Sequence, residues 1–356
     1  MNSSKTIGII GGGQLGQMMA IAAIYRGHRV ITLDPAANCP ASQVSQMIVA
    51  SYDDEEALRE LARQCDVLTY EFENVDADTL DAVKSLSSLP QGTDLLRISQ
   101  NRIKEKAFLT STGVGIAPYR VIDSEEDLEN YDFSTKRVLK TATGGYDGHG
   151  QVVISDEESL VRARDLANQQ PCVLEDYVPF EMEISVILSG NGQEVSVFPV
   201  QENSHRHNIL SKTIVPARIS DKLAQKAVQM AQKIATDLQL FGTLCIEMFV
   251  AGEEIMVNEI APRPHNSGHY SIEACDFSQF DTHILGILGE PLPSIHLHAP
   301  AVMLNVLGQH VEKAVAFVKK HPNAHLHLYG KEEAKHNRKM GHVTLFSDKP
   351  DQVEEF

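Results

Sequence analysis

The sequence predicts an α/β unit followed by an α+β unit, and three observations predict it. Apolar runs alternate with helical stretches in β–α–β order over residues 1–100, the pattern of a parallel sheet. A glycine cluster, Gly11-Gly12-Gly13-Gln14-Leu15-Gly16, follows the first apolar run, and Asp34 closes the second. Beyond residue 180, apolar runs are joined by glycine-centred turns, which signal antiparallel hairpins.

Taken in order, residues 6–10 read as a strand, 17–25 as a helix, 30–34 as a second strand and 67–72 as a later one ending in acid residues. This Rossmann-like amino-terminal domain is expected to span 1–100. A second domain, 101–178, begins with a helix over 102–111 stopped at Thr112-Gly113, since glycine accepts the left-handed position that ends helices. It continues with strands around a glycine-rich tip, a helix over 157–168 and a strand over 173–178. A third domain, 179–356, follows Pro179. It carries a hairpin across Gly190-Asn191-Gly192, and a helix over 222–239 marked by Leu223, Ala227, Met230, Ile234 and Leu238 at helical spacing.

The net charge of −17 argues against a nucleic-acid partner, which needs a basic face. No apolar run approaches the ~20 residues of a membrane span. Ser4-Lys5 leads straight into a strand without a leader-like segment, so the expectation is a cytoplasmic protein. Cys39, Cys65, Cys172, Cys245 and Cys275 are odd in number and scattered, as reduced core thiols are. The His-x-His pairs, such as His325/His327, have no neighbouring ligand set in the sequence and do not by themselves predict zinc.

Three clusters carry chemistry. Gly11-x-Gly13-x-x-Gly16 with Asp34 satisfies the dinucleotide fingerprint in spacing, which makes a nicotinamide-dependent oxidoreductase a rival reading. The stretch Thr143-Gly144-Gly145-Tyr146-Asp147-Gly148-His149-Gly150-Gln151 follows Val138-Leu139-Lys140 and precedes Val152-Val153-Ile154. It reads as strand, mobile tip, strand: a flap whose backbone N–H groups approach phosphate, next to a lysine. Finally, Glu247 and Glu259 lie on adjacent strands that otherwise read as buried. Two such carboxylates are costly without a cation, and Mg²⁺ carrying substrate phosphate is the natural one. To share a face they must stand opposite each other. That register predicts a three- or five-residue connection around Gly252, because a four-residue one sets Asn258 against Glu247.

With Lys140, the flap and this carboxylate pair in view, the chain resembles the ATP-grasp superfamily. Within it, the chain is similar to the N5-carboxyaminoimidazole ribonucleotide synthetases of purine biosynthesis. The carriers are Gly13-Gln14-Leu15-Gly16, Tyr70-Glu71-Phe72-Glu73-Asn74, Gly144 to Gln151, Asn258-Glu259-Ile260-Ala261-Pro262-Arg263 and His265-Asn266-Ser267-Gly268-His269. The resemblance implies an ATP-grasp fold, a lid plus a larger mixed-sheet domain, after the Rossmann-like one. It also implies a homodimer that binds ATP, Mg²⁺, bicarbonate and aminoimidazole ribonucleotide.

Residue roles follow from that resemblance. Arg102 and Lys140 meet ATP phosphates under a flap of Gly145, Tyr146, Asp147, Gly148, His149, Gly150 and Gln151. Glu175, Asp176, Tyr177 and Val178 line the adenine pocket, Glu183 takes the ribose hydroxyls, and His205 lies alongside. Asn258 borders the nucleotide, and Glu247 and Glu259 hold Mg²⁺. Gln14, Glu73, Tyr146, His265, Asn266 and Ser267 face the ribonucleotide, with Lys331, Arg338 and Lys339 on its 5′-phosphate. Arg263, Asp147 and His269 are the catalytic candidates. The reaction the resemblance implies is attack of bicarbonate on the γ-phosphate to give carboxyphosphate and ADP, after which carboxyphosphate, or CO₂ released from it, carboxylates the exocyclic amine. Many superfamily members carry a further Asn ligand two residues after the second Glu. Here Ala261 stands there.

Overall fold

The computed structural model describes residues 4–145 and 149–356. Strands β1 (Thr6–Ile10), β2 (Arg29–Asp34), β3 (Gln46–Val49) and β4 (Val67–Tyr70) form a parallel sheet in the order β3-β2-β1-β4. Both faces of the central strand are apolar, so both are covered. Ile7 and Ile9 pack on the helix Gln14–Tyr25, and Ile10 belongs with Leu58 and Leu61 of the helix Glu55–Gln64. The first of these cores also takes Phe280, Ile284 and Ile287 from the distant helix Gln279–Ile287. The sheet reverses its winding between β1 and β4. The crevice at such a switch point, beyond the carboxyl ends of the strands, is where open α/β sheets bind ligands.

The glycine flap belongs to a second, antiparallel sheet. Its strands are β5 (Tyr119–Ile122), β6 (Arg137–Thr141), β7 (Gln151–Ile154) and β8 (Cys172–Asp176), in the order β5-β8-β6-β7. Leu139 and Leu174 bury one face against Leu160 and Ala163 of the helix Glu157–Ala167, which Asp156 caps.

The third sheet has nine strands: β9 (Met182–Asn191), β10 (Val195–Val197), β11 (Gln201–Arg206), β12 (Ile209–Val215), β13 (Phe241–Ala251), β14 (Glu254–Ala261), β15 (Ala301–Leu307), β16 (His325–Leu328) and β17 (Lys339–Phe346). The order is β14-β13-β9-β11-β12-β15-β17-β16, with β10 on β9. Every strand pairing in it is antiparallel, and a single parallel bridge, Ile116 to Val257, joins its β14 edge. The helix Asp221–Asp237 lies across β9 and β13. Ala227, Ala231, Ile234 and Ala235 are its fully buried positions, and the expected Leu223, Met230 and Leu238 flank them, partly buried. Small residues on the inner stripe let the helix approach the sheet closely.

The five cysteines are free thiols, all buried. Among the described residues no helix is long and apolar enough to cross a membrane.

Candidate active site

A cleft of about 590 Å³ opens where the three sheets meet. Glu73, Arg102, Lys140, Gly145, His149, Gln151, Glu175, Asp176, Tyr177, Val178, Glu183, His205, Glu247, Asn258, Glu259, Arg263, His265, Asn266 and Lys339 line it. Thus residues up to 266 positions apart in the chain converge there. Tyr146, Asp147 and Gly148 lie outside the described residues. Gln14, Gly150, Ser267, His269, Lys331 and Arg338 are not on the lining.

The carboxylate pair faces itself as required, but by another route than loop length. The β13–β14 connection is only Gly252-Glu253, and Ala251 pairs with Glu254. Continued without a break, that register sets Glu247 against Asn258. A β-bulge between Glu247 and Met248 absorbs Asn258 and moves Glu259 opposite Glu247. Neither carboxylate is deeply buried: the side chains are 21% and 43% exposed. Burial raises the Glu247 pKa, but the His265 imidazole, with Nε2 at 3.1 Å, holds it down to about 2. The backbone N–H of Ser267 donates to His265 Nδ1, which leaves Nε2 as the protonated nitrogen facing Glu247.

Next to the pair stands a cationic floor. Asn101 caps the helix Arg102–Thr112, and Gly113 ends it at a φ of 73°. Arg102 reaches Glu259 at 3.3 Å. One turn on, Lys106 is wholly buried, with Nζ 3.3 Å from Glu175 and 3.0 Å from the carbonyl of Asn258. Lys140 on β6 reaches the same Glu175 at 3.0 Å and Asn258 Oδ1 at 3.2 Å. Burial pushes the Lys140 ammonium below its ordinary value, while Lys140 and Lys106 hold the buried Glu175 carboxyl down. Glu175 is therefore the counter-ion of two lysines as well as a wall of the cleft. Lys106 escapes sequence reading, because a lysine on an amphipathic helix looks solvated. The one available signal is its i,i+4 spacing from Arg102.

Part of the cleft wall is apolar. Phe180 and Phe249 stack with centroids 4.4 Å apart at 6° and line the cleft with Val178. Phe249 pairs with Glu183 across β13 and β9. Glu183 in turn contacts His205. Burial lowers the His205 pKa, but the Glu183 carboxylate outweighs it and the net shift is upward.

The flap keeps its hairpin base, with Lys140 opposite Gln151 and Thr141 N donating to Gly150 O at 2.8 Å. Gly150 has a φ of +72°, and a Cβ there would fall 2.5 Å from Thr141 Oγ1. Left-handed backbone costs an L-residue about 1–2 kcal/mol. Gly150→Ala is expected to lower kcat/KM for ATP by about tenfold, on the conversion of 1.4 kcal/mol per decade. Steady-state kinetics check this, with circular dichroism showing that the fold persists.

The amino-terminal glycine cluster does not bind a dinucleotide phosphate. Its amides are already satisfied by the protein: Gly13 N and Gly16 N donate to the half-buried Glu71 carboxylate at 2.7 and 2.6 Å, and Gly12 N donates to Asp34 at 2.7 Å. A pyrophosphate would have to displace a carboxylate whose oxygens sit where a Gly13 Cβ would fall, 2.5 Å away. The glycines serve to admit Glu71, and so to tie the β4 exit to the first helix. That places Glu73 on the cleft.

There Glu73 forms a two-pronged ion pair with Arg263, the second contact at 3.0 Å. Burial opposes the Glu73 charge, yet the guanidinium holds its pKa down to about 2. Ser267 is fully buried and bonds His265 Nδ1 and Ser185, each at 2.9 Å, so it orients the imidazole from behind. His269 is 1% exposed, bonded to Gln279 and pushed by burial well below the imidazole range. It is a core histidine, off the lining of the cleft. Gln14 opens the first helix, half-buried. Lys331 donates to the carbonyl of Lys339 at 2.9 Å, while Arg338 is exposed and bonds the Glu333 carbonyl.

A glycine flap over a lysine, facing paired carboxylates between two sheets, defines an ATP-grasp enzyme. Residues 107–280 match the ATP-grasp domain. Residues 4–100 match the ribonucleotide synthetase preATP-grasp domain, and 301–355 the phosphoribosylaminoimidazole carboxylase C-terminal domain. N5-carboxyaminoimidazole ribonucleotide synthase of Staphylococcus haemolyticus is 47% identical over 359 residues, covering 98% of this chain and 94% of that one. The Staphylococcus aureus N5-carboxyaminoimidazole synthetase structure with ADP is 45% identical, with a TM-score of 0.92 over 99% of this chain and 95% of that one. The Aspergillus clavatus enzyme in complex with ADP and 5-aminoimidazole ribonucleotide is 34% identical, with a TM-score of 0.89 over 98% and 95%. This chain belongs to the N5-carboxyaminoimidazole ribonucleotide synthase family.

Proposed function

We propose that the protein carboxylates 5-aminoimidazole ribonucleotide to N5-carboxyaminoimidazole ribonucleotide, using ATP and bicarbonate and releasing ADP and phosphate, in de novo purine (IMP) synthesis. The carrying observation is that one cleft joins the Arg102/Lys140 floor and the Glu247/Glu259 pair to Glu73 and Arg263 of the switch-point crevice. The Aspergillus clavatus relative binds ADP and the ribonucleotide on the same architecture. Bicarbonate attacks the γ-phosphate, its oxygen forming the new P–O bond as ADP leaves. The resulting carboxyphosphate, or CO₂ shed from it, meets the ribonucleotide amine.

Such chemistry asks a protein for positioning and charge neutralisation. Lys140 and Arg102 answer phosphate charge, and Arg263, which lines the same cleft, answers the developing acyl phosphate. Phe180 and Phe249 offer the base an apolar face, and Glu183 accepts from the ribose. The donor set fits Mg²⁺: two opposed carboxylates, hard oxygen ligands on a half-open site. When bound, the ion neutralises phosphate charge. Asp147 is proposed to handle a proton and Tyr146 to face the acceptor, both on the family resemblance. Cytoplasmic, homodimeric working conditions are proposed on the family resemblance. Phosphate release is measured with bicarbonate, with and without the ribonucleotide. No stimulation by the ribonucleotide would overturn the acceptor assignment.

Lys331, Lys339 and Arg338 are proposed for the 5′-phosphate. Burial, aided by nearby Arg338, lowers the Lys331 pKa to about 8. The ammonium that binds phosphate is present below that pH and lost above it. Accordingly, kcat/KM for the ribonucleotide should fall as pH rises through about 8, since this ratio reports free-enzyme ionisations. Lys331→Arg should remove that inflection. An unchanged profile would remove Lys331 from the role.

A further inference from the structure

Behind the cleft, three imidazoles and a carboxylate gather where the helix Ser271–Ala274 meets the β16–β17 hairpin. His327 and His342 are cross-strand partners whose rings stack 4.5 Å apart at 14°. His269 lies 4.7 Å, ring to ring, from His342. Glu273 Oε1 bonds His327 Nε2 at 2.5 Å. One ligand atom from each of Glu273, His327 and His342 lies within 4.8 Å of the other two.

The cluster is largely buried, with His327 reaching the surface, and its hydrogen bonding is incomplete. His342 is 0% exposed, and the Glu273 side chain is 10% exposed. Tyr329 OH holds His342 Nδ1 at 2.9 Å, which leaves Nε2 as the outward nitrogen. His342 Nε2, Glu273 Oε2 and His269 Nε2 have no hydrogen-bond partner among the described residues. A buried polar atom without a partner is costly, and three at one spot ask for a bound species. Two imidazoles and a carboxylate are a recognised zinc set with one position open, and His269 stands next to it.

We propose that Glu273, His327 and His342 bind a divalent transition-metal ion, zinc by its donor set, at a site separate from the Glu247/Glu259 pair. Ligation replaces the hydrogen in the His327–Glu273 bond, which leaves to solvent as a proton, and breaks no other bond. The ion would clamp the hairpin whose loop carries Lys331 at one end and leads into Lys339 at the other. The sequence hides this site, because the carboxylate comes from 54 positions before His327.

The test uses full-length, tag-free protein stripped by chelation, then titrated with Zn²⁺ by calorimetry and with Co²⁺ by visible absorption. Glu247→Gln is included to remove the Cys245-Glu247-His265 group from the count. One tight Zn²⁺ per chain is expected in the wild type and in Glu247→Gln. His327→Gln and Glu273→Gln should each weaken it at least tenfold and abolish both the Co²⁺ band and the zinc-induced rise in Tm. His327 is a third exposed, so its variant keeps the fold, which circular dichroism verifies. Equal zinc uptake by the wild type and both variants would overturn the site. So would a Glu247→Gln protein that takes up none.

Discussion

Glu247→Gln and Glu259→Gln are each expected to lower bicarbonate-dependent ATP turnover by about 10²–10³-fold, the range seen when one preorganised charge-stabilising group is removed from a reacting site. The amide keeps shape and volume but gives up the charge that makes an oxygen a strong ligand for a hard cation. The loss should sit in kcat, because the residues proposed to hold the nucleotide, Arg102, Lys140 and the stacked Phe180/Phe249 pair on the same cleft, are untouched. The fold should survive: both side chains are partly exposed, and the amide oxygen at position 247 can still accept from His265 Nε2. Raising Mg²⁺ should recover part of the Glu259→Gln activity, since the ion retains Glu247. ATP turnover within threefold of wild type in either variant would remove that carboxylate from the site.

How much of this was legible depends on distance along the chain. Strand and helix positions follow local patterning, so β13, β14, the flap strands and the helix Asp221–Asp237 are readable in sequence. The opposition of Glu247 and Glu259 is readable as a requirement, but its means is not. The bulge at Asn258 is held by Lys106, 152 positions away, and local turn rules see only Gly252-Glu253. The dinucleotide fingerprint misleads for a similar reason. Its spacing is local, whereas the carboxylate that fills it, Glu71, arrives only once β4 lies beside β1. His269 sits in a motif shared with cleft residues, yet its ring turns into the core against Phe280. A polar residue inside a functional motif has two sides to choose from, and sequence does not show which one it takes.

Lys106→Met is expected to cost about 3 kcal/mol of unfolding free energy, the lower end of the loss when one member of a buried ion pair is removed. Lys106 has no exposed surface and Glu175 is nearly as deep, so neither charge can turn to water. In the variant Glu175 keeps only Lys140, already 3.0 Å away, and the Asn258 carbonyl loses its donor. Two consequences follow. Lys140 is held more firmly by Glu175 and is less available to phosphate. The bulge that sets Glu259 opposite Glu247 loses its anchor. KM for ATP should therefore rise at least tenfold, although Lys106 touches no ligand. A merely structural lysine would lower stability without that change. Lys106→Met/Glu175→Gln separates the two effects. Removing both charges restores only part of the stability, because Lys140 is then left buried without its carboxylate partner. It does not restore the bulge anchor, so KM should stay high. Denaturant melts and ATP kinetics on the four-protein cycle give a coupling of about 1–3 kcal/mol if the pair acts as a unit. Simple additivity in stability, or a wild-type KM in Lys106→Met, would sink the assignment.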